Sequence, residues 1–330
     1  MRTLSGLSGL SSLLLRAAGD QIAPQEKGEG RLCILTYHRI LESFDPLLES
    51  EPDVNTFRWQ MELLANSFNV LPLHDAITRL SSERMPPRAV CVTFDDGYRS
   101  VHDLALPILK EFNLPATVFV TSGCIGEGSM WNDMIIEALR ALPDGPLDLQ
   151  DVGLGMYSLQ SLYDRKRTIF QITEAIKYIP PKSRQSLIDK LEDLAGGIVP
   201  RNSMLTPTMV HRLASEDIEI GGHTINHPIL TKVDDKSARD EISGCKQQLE
   251  EIIGEQVRLF AYPNGKVGRD FDARHVQMAK DAGFSAAFST AIGAATGKHD
   301  IYQLPRSRPW HNTPFLYGLR LLRWLCSDSV

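Results

Sequence analysis

The chain of 330 residues is 42% hydrophobic and 23% charged with a net charge of −6, the composition of an ordinary folded protein long enough for a large core. That balance, with no long basic stripe, excludes an electrostatic case for nucleic acid. The five cysteines (Cys33, Cys91, Cys124, Cys245, Cys326) form no Cys-x-x-Cys pair, which argues against a zinc knuckle or a disulfide framework and favours reduced thiols in a cytoplasmic chain.

Leucines recur every three or four residues from Leu4 to Leu15 and are interrupted by serine and glycine. This pattern predicts an amphipathic helix packed on the body or lying on a membrane surface, not a signal peptide. No run reaches the ~20 apolar residues that span a bilayer. A periplasmic or membrane-peripheral location is the alternative to the cytoplasmic one. With a polar linker, this segment fills residues 1–30.

The first strand is expected over Leu32–His38, and a helix capped by Asn55 or Thr56 carries Phe57, Met61, Leu64 and Phe68. An extended piece at Val70–Pro72 precedes a helix over His74–Leu80. After the break at Pro86-Pro87, the β-branched run Ala89–Val92 predicts a buried strand that ends in Thr93-Phe94-Asp95-Asp96-Gly97. A helix from about Ser100 to Phe112, kinked at Pro107, leads to a strand over Ala116–Val120. From about 126 to 203 the pattern is helical (Trp131–Leu139, Tyr157–Ile179, Ser183–Leu194) with no strong strand, which predicts an insertion in one βα loop.

The alternation resumes at Thr206-Pro207, an N-cap with proline at the first helical position. A strand over Ile218–Gly222 runs into His223-Thr224-Ile225-Asn226-His227-Pro228, followed by a long helix over Asp235–Ile253. The strand Val257–Ala261 ends in Tyr262-Pro263-Asn264-Gly265. A helix over Asp272–Ala282, a strand over Ser285–Ser289 and an extended piece at Tyr302–Arg306 complete a body spanning 31–312. Residues 313–330 form an amphipathic helical tail. Alternating strands and helices predict an α/β fold with a parallel sheet. His38, Asp95, Asp96, Ser122, His223, His227, Tyr262 and Arg306 all fall at the C-terminal ends of strands, which favours a TIM-like (β/α)7–8 barrel with those residues on one rim.

Two adjacent carboxylates at the end of a buried strand raise each other's cost of ionisation unless a cation compensates. A polar turn with an Asp N-cap and Gly97 is the structural alternative. His223 and His227 are four apart, a spacing that on a helical turn puts both imidazoles on one face. With Asp96 they make an Asp-His-His set able to bind a divalent metal and leave a position open for water. Asp95 can then take the proton from that water as a carbonyl is attacked.

Thr93–Gly97 and His223–Pro228 resemble the first two motifs of the polysaccharide deacetylase family, also called the NodB homology domain or carbohydrate esterase family four. Phe260–Gly265, Leu35–Ile40 and Leu304–Arg306 are similar to blocks of its exopolysaccharide deacetylase branch. The resemblance covers roughly Leu32 to Pro309 and skips the insertion. It implies a distorted barrel and metal-dependent hydrolysis of acetyl groups on N-acetylhexosamine units of a bacterial polysaccharide or its precursor. It also implies Asp95 as catalytic base, Asp96, His223 and His227 as ligands of the metal (usually zinc), and the Tyr262 backbone N–H as an oxyanion donor. Two departures stand out. The family's third-motif arginine is replaced here by Ala261, and Arg306 is the candidate to take over its charge. No counterpart of the fifth-motif histidine, the family's acid, is evident, so His38 is the first candidate and His299 and His311 are weaker ones. Trp131 either stacks on a sugar ring or anchors its helix in the core. An O-acetyl esterase and a non-catalytic carbohydrate-binding relative are the alternative functions.

Overall fold

A computed structural model describes residues 9–21, 30–82, 85–126, 129–179, 181–197, 202–308 and 313–326. The start of the N-terminal segment, most of the linker, and His311 lie outside those residues. The strands in chain order are β1 (Arg31–Tyr37), β2 (Asn69–Val70), β3 (Ala89–Phe94), β4 (Thr117–Val120), β5 (Pro146–Asp148), β6 (Met156–Ser158), β7 (Glu219–Gly222), β8 (Leu259–Ala261), β9 (Ala286–Phe288) and β10 (Ala295–Thr296). The helices are α1 (Gly9–Gln21), α2 (Val54–Ser67), α3 (Leu73–Ser82), α4 (Leu106–Glu111), α5 (Trp131–Ala141), α6 (Leu162–Ile176), α7 (Pro181–Leu194), α8 (Pro207–Ser215), α9 (Asp235–Ile253), α10 (Ala273–Asp281) and α11 (Pro314–Cys326).

Strands β1, β3, β4, β7, β8 and β9 are parallel neighbours in that order. The ring is closed by the extended piece at 304–307. On one side Leu304 N–H donates to Ala287 (3.0 Å) and Ser289 N–H to Leu304 (2.9 Å); on the other Ser307 N–H donates to Ile34 (2.8 Å) and Thr36 N–H to Ser307 (3.2 Å). The result is a distorted (β/α) barrel. Both faces of its strands are buried, so β3 reads as a continuous apolar run. Successive residues still divide by face. Cys33, Leu35, Val90 and Val92 pack with the surrounding helices, whereas Leu32, Ile34, Cys91 and Phe119 belong to a second cluster. In that cluster the Phe119 and Phe288 rings, from strands that are not neighbours, meet at 5.3 Å. It is therefore the barrel interior.

Several local expectations needed correction. Helix α2 is capped by Asp53, which accepts the Thr56 N–H at 2.8 Å, and neither Asn55 nor Thr56 is the cap. The kink expected at Pro107 is a π turn over Val101–Ala105 that hands over to α4 with proline in its first turn. A residue without N–H cannot continue the regular ladder. The insertion has its own core, including Ile135, Leu139, Ile172 and Leu191. It also contains an antiparallel β5–β6 hairpin that the sequence did not disclose. Strands of three residues are too short to display a period.

Helices α1 and α11 pack against each other, and α11 also packs on β1. At Gly318 a Cβ would fall 2.6 Å from Leu15 Cδ1, so a larger residue there would force the Leu15 side chain to shift. Among the described residues no helix is long and apolar enough to cross a membrane.

Candidate active site

Asp95 and Asp96 leave β3 in different directions because the backbone changes hand between them. Asp95 still extends the ladder, its N–H bonded to Tyr37 at 2.9 Å. Asp96 then adopts φ 73° and Gly97 φ 87°. Left-handed geometry is costly for a residue with a Cβ, and such outliers gather where a site is held in a special shape. A Cβ at Gly97 would come within 2.9 Å of Val120 Cγ1, so only glycine fits beside β4.

Asp95 is 4% exposed and receives a two-pronged bond from Arg306, Nη1 to Oδ1 at 2.6 Å and Nη2 to Oδ2 at 2.8 Å. Such fork-to-fork pairs fix orientation as well as charge. The guanidinium is itself oriented by Thr93 Oγ1 (3.3 Å) and the Ser289 carbonyl (3.4 Å), and it lies over the Phe119 ring. Burial alone would raise the Asp95 pKa, but Arg306, with help from His223, holds it below the ordinary carboxylate value.

Asp96, His223 and His227 converge, with one ligand atom from each lying within 4.8 Å of the others. Asp96 Oδ1 is 3.5 Å from His223 Nε2 and 3.4 Å from His227 Nε2. His223 Nδ1 sits 2.7 Å from the Ala261 carbonyl, a bond only an N–H can make. In the neutral ring Nε2 is therefore a lone pair facing a carboxylate oxygen, two acceptors that need a proton or cation between them. The donor set fits a divalent metal, and the outward Nδ1–H bond is the support that metal-binding histidines usually have. Burial pushes the His227 pKa down to about 4, leaving a neutral ring at ordinary pH. Burial opposes ionisation of Asp96, yet the His223 bond and the electrostatic pull of the neighbouring histidines bring its pKa well below normal. For His223, burial is outweighed by the Asp96 bond and the two aspartate charges, and its pKa is raised.

The two histidines do not share a helical turn. The stretch from His223 to His227 is a loop with Thr224 at φ 66° and His227 at φ 52°. Helix α9 holds that loop through Glu241, whose carboxylate accepts Ile225 N–H (2.9 Å), Asn226 N–H (2.8 Å) and Asn226 Nδ2 (2.7 Å). The role of Glu241 was not legible beforehand, because a glutamate on a helix carries no mark of what it will clamp.

Tyr262 needs the clearest correction. Its N–H donates to Phe288 at 3.1 Å in the barrel ladder, and its ring is buried in a stack on Phe271. It is therefore not a free oxyanion donor. Two residues on, Asn264 lines the cavity at φ 58°, and its N–H makes no hydrogen bond among the described residues.

Asp95 and the Asp96–His223–His227 set share a cavity of about 390 Å³, whose walls include His38, Trp131, Asn264 and, from the insertion, Lys177. His38 Nδ1 is buried there without a partner. Arg39 pairs with Asp133 and lies over the Tyr98 ring. Ser122 instead donates to Gln248 at 2.7 Å, and His299 closes a turn with Thr296; neither lines the cavity.

Residues 82–287 match the family model described as polysaccharide deacetylase. The chain is 20% identical over 279 residues to YxkH of Bacillus subtilis (strain 168), which bears a polysaccharide deacetylase name; the match covers 84% of this chain and 71% of that protein. A poly-beta-1,6-N-acetyl-D-glucosamine N-deacetylase of Staphylococcus aureus (strain N315) is 29% identical over 121 residues. That match covers 32% of this chain and 42% of the staphylococcal enzyme, less than half its length. Among solved structures, the Streptococcus pyogenes deacetylase PplD in complex with acetate superposes with a TM-score of 0.59 at 18% identity, covering 90% of this chain and 99% of that one. IcaB from Ammonifex degensii does so with a TM-score of 0.57 at 19% identity, covering 91% and 99%. At these identities the likeness to the solved structures is one of fold.

Proposed function

The chain belongs to the polysaccharide deacetylase family, and from that premise we propose that it hydrolyses the acetamide of N-acetylhexosamine units in a bacterial polysaccharide or its precursor. The observation that carries this reading is the meeting, in one cavity, of the Asp96–His223–His227 donor set and the Asp95 carboxylate gripped by Arg306. A divalent metal held by those three residues, zinc by family habit, supplies Lewis acidity toward the amide carbonyl and toward a water.

The remaining work falls to the chain's own groups. Asp95 takes the proton of the attacking water, and Arg306 keeps its carboxylate ionised and aimed. Asn264 N–H is the backbone donor available to the oxyanion; one such donor contributes about 10²–10³ in rate. His38 is the acid on hand for the leaving amine, its ring in the cavity wall and its Nδ1 buried without a partner.

Acetate release from a panel of N-acetylated and O-acetylated glycans, with chelator treatment and metal add-back, tests the proposal. Expected is release from the N-acetylated substrates, loss with chelator and recovery with metal. Release from O-acetylated substrates alone would make the chain an esterase, and no bound metal at Asp96, His223 and His227 would end the metal-dependent reading.

A further inference from the structure

The arginines and the lysine in and next to the cavity pair with carboxylates, whereas Arg184, behind the cavity residue Trp131, does not. Arg306 is matched by Asp95, Arg39 by Asp133, Arg308 by Glu51, and Lys177 has Glu174 at 3.5 Å. Arg184, on α7 of the insertion, is only 5% exposed, yet among the described residues no carboxylate or other acceptor partners it. Its guanidinium lies over the Trp131 ring, Cζ 4.4 Å from the centroid. Trp131 lines the cavity, and its own Nε1–H is buried without an acceptor. Burial pushes the Arg184 pKa down to about 10, too little to discharge it. A guanidinium on a residue only 5% exposed, with no carboxylate partner among the described residues, thus lies beside a buried indole N–H that has no acceptor, and such a pair is costly to hold unless an acceptor arrives.

We propose that Arg184 and Trp131 form a subsite for an anionic group, a carboxylate or a phosphate, carried by the glycan next to the N-acetyl sugar being hydrolysed. This rests on the deacetylase reading for its location only. Lys177, on the segment after α6, lines the cavity itself and adds a cation that only the half-exposed Glu174 shares. It is held in place by its neighbour Tyr178, whose hydroxyl bonds Asp270 at 3.1 Å and whose ring faces Arg269. The barrel's own cations at the cavity, Arg306 and Arg39, are paired with Asp95 and Asp133, so the insertion supplies the cation that has no carboxylate partner. Either source of the anion would do: an acidic sugar in the polymer, or the diphosphate of an activated precursor.

Binding by calorimetry and acetate release are measured on the full chain with three probes. These are a neutral N-acetylglucosamine tetrasaccharide, a tetrasaccharide alternating N-acetylglucosamine with glucuronate, and uridine diphosphate N-acetylglucosamine. Wild type should bind one anionic probe about 10- to 100-fold tighter than the neutral one, and which one identifies the source. Arg184→Met should collapse that ratio and Arg184→Lys should restore part of it. The wild-type preference should also shrink as salt is raised, a check that needs no variant. Equal affinity for all three probes, or a ratio that Arg184→Met leaves unchanged, overturns the proposal. A persisting anion preference with no acetate released from any probe would instead reject the deacetylase function and leave the subsite standing.

Discussion

At the scale of single residues, adjacent aspartates have been given different surroundings, so their substitutions should behave differently. Asp95→Asn should lower kcat by about 10²–10⁴ while leaving metal affinity near wild type, because the Asp96 set is untouched. Asp96→Ala should weaken metal binding itself. Metal titration beside acetate assays separates the two, and identical behaviour would refute the division of labour. Arg306→Met removes the cation that keeps a buried Asp95 ionised, and loss of one partner of such a pair costs about 3–5 kcal/mol. Burial then dominates and the Asp95 pKa rises. The acid limb of the rate profile should therefore move to higher pH. In wild type the pair's stabilisation is present above the ordinary carboxylate pKa of about 4 and is lost as pH falls through the depressed value. In the variant the buried carboxylate is relieved by protonation as pH falls. The gap in melting temperature should thus be widest near neutrality and shrink toward acid pH.

At the scale of elements, the loop that carries His227 depends on a helix elsewhere in the chain. Three bonds from Glu241 hold the Ile225 and Asn226 backbone, and Thr224 Oγ1 receives the His227 N–H at 3.1 Å. Glu241→Ala should weaken metal affinity about 10- to 100-fold, the usual effect of losing outer support for a ligand. Glu241→Gln, which keeps an acceptor oxygen, should do less harm. Equilibrium dialysis of both variants checks the order. Helix α9 itself was readable to the residue, because Asp234 caps it, Gly254 ends it in a left-handed turn, and its apolar stripe is regular. The β5–β6 hairpin and the π turn before α4 were not, since each depends on a few residues whose local preferences fit several conformations.

At the scale of the whole molecule, the segment that closes the barrel also delivers Arg306. Leu304 is 1% exposed and packs in the interior cluster, two residues before that arginine. Leu304→Ala should cost about 2–5 kcal/mol of stability. It should also reduce kcat more than metal affinity, because the loosened closure carries the base's partner and not a metal ligand. Urea denaturation and metal titration on the same variant give both readings. Closure joins residues near the two ends of the chain, so a defect there acts on the barrel as a unit.

The amino-acid sequence by itself determined the strand and helix alternation, and through it the single rim on which Asp95, Asp96, His223 and His227 meet. Those features arise from periodicity and from motifs a few residues long, which local physics makes visible. Only the tertiary structure decided that Arg306 grips Asp95 across 211 positions of chain, that the Tyr262 N–H is consumed by the Phe288 carbonyl while Asn264 N–H is left over, and that Arg184 is buried without a partner. Each of these is a question of which donor meets which acceptor. The answer depends on ring closure and on how the insertion lies against the barrel, and neither is a property of any stretch of sequence taken alone.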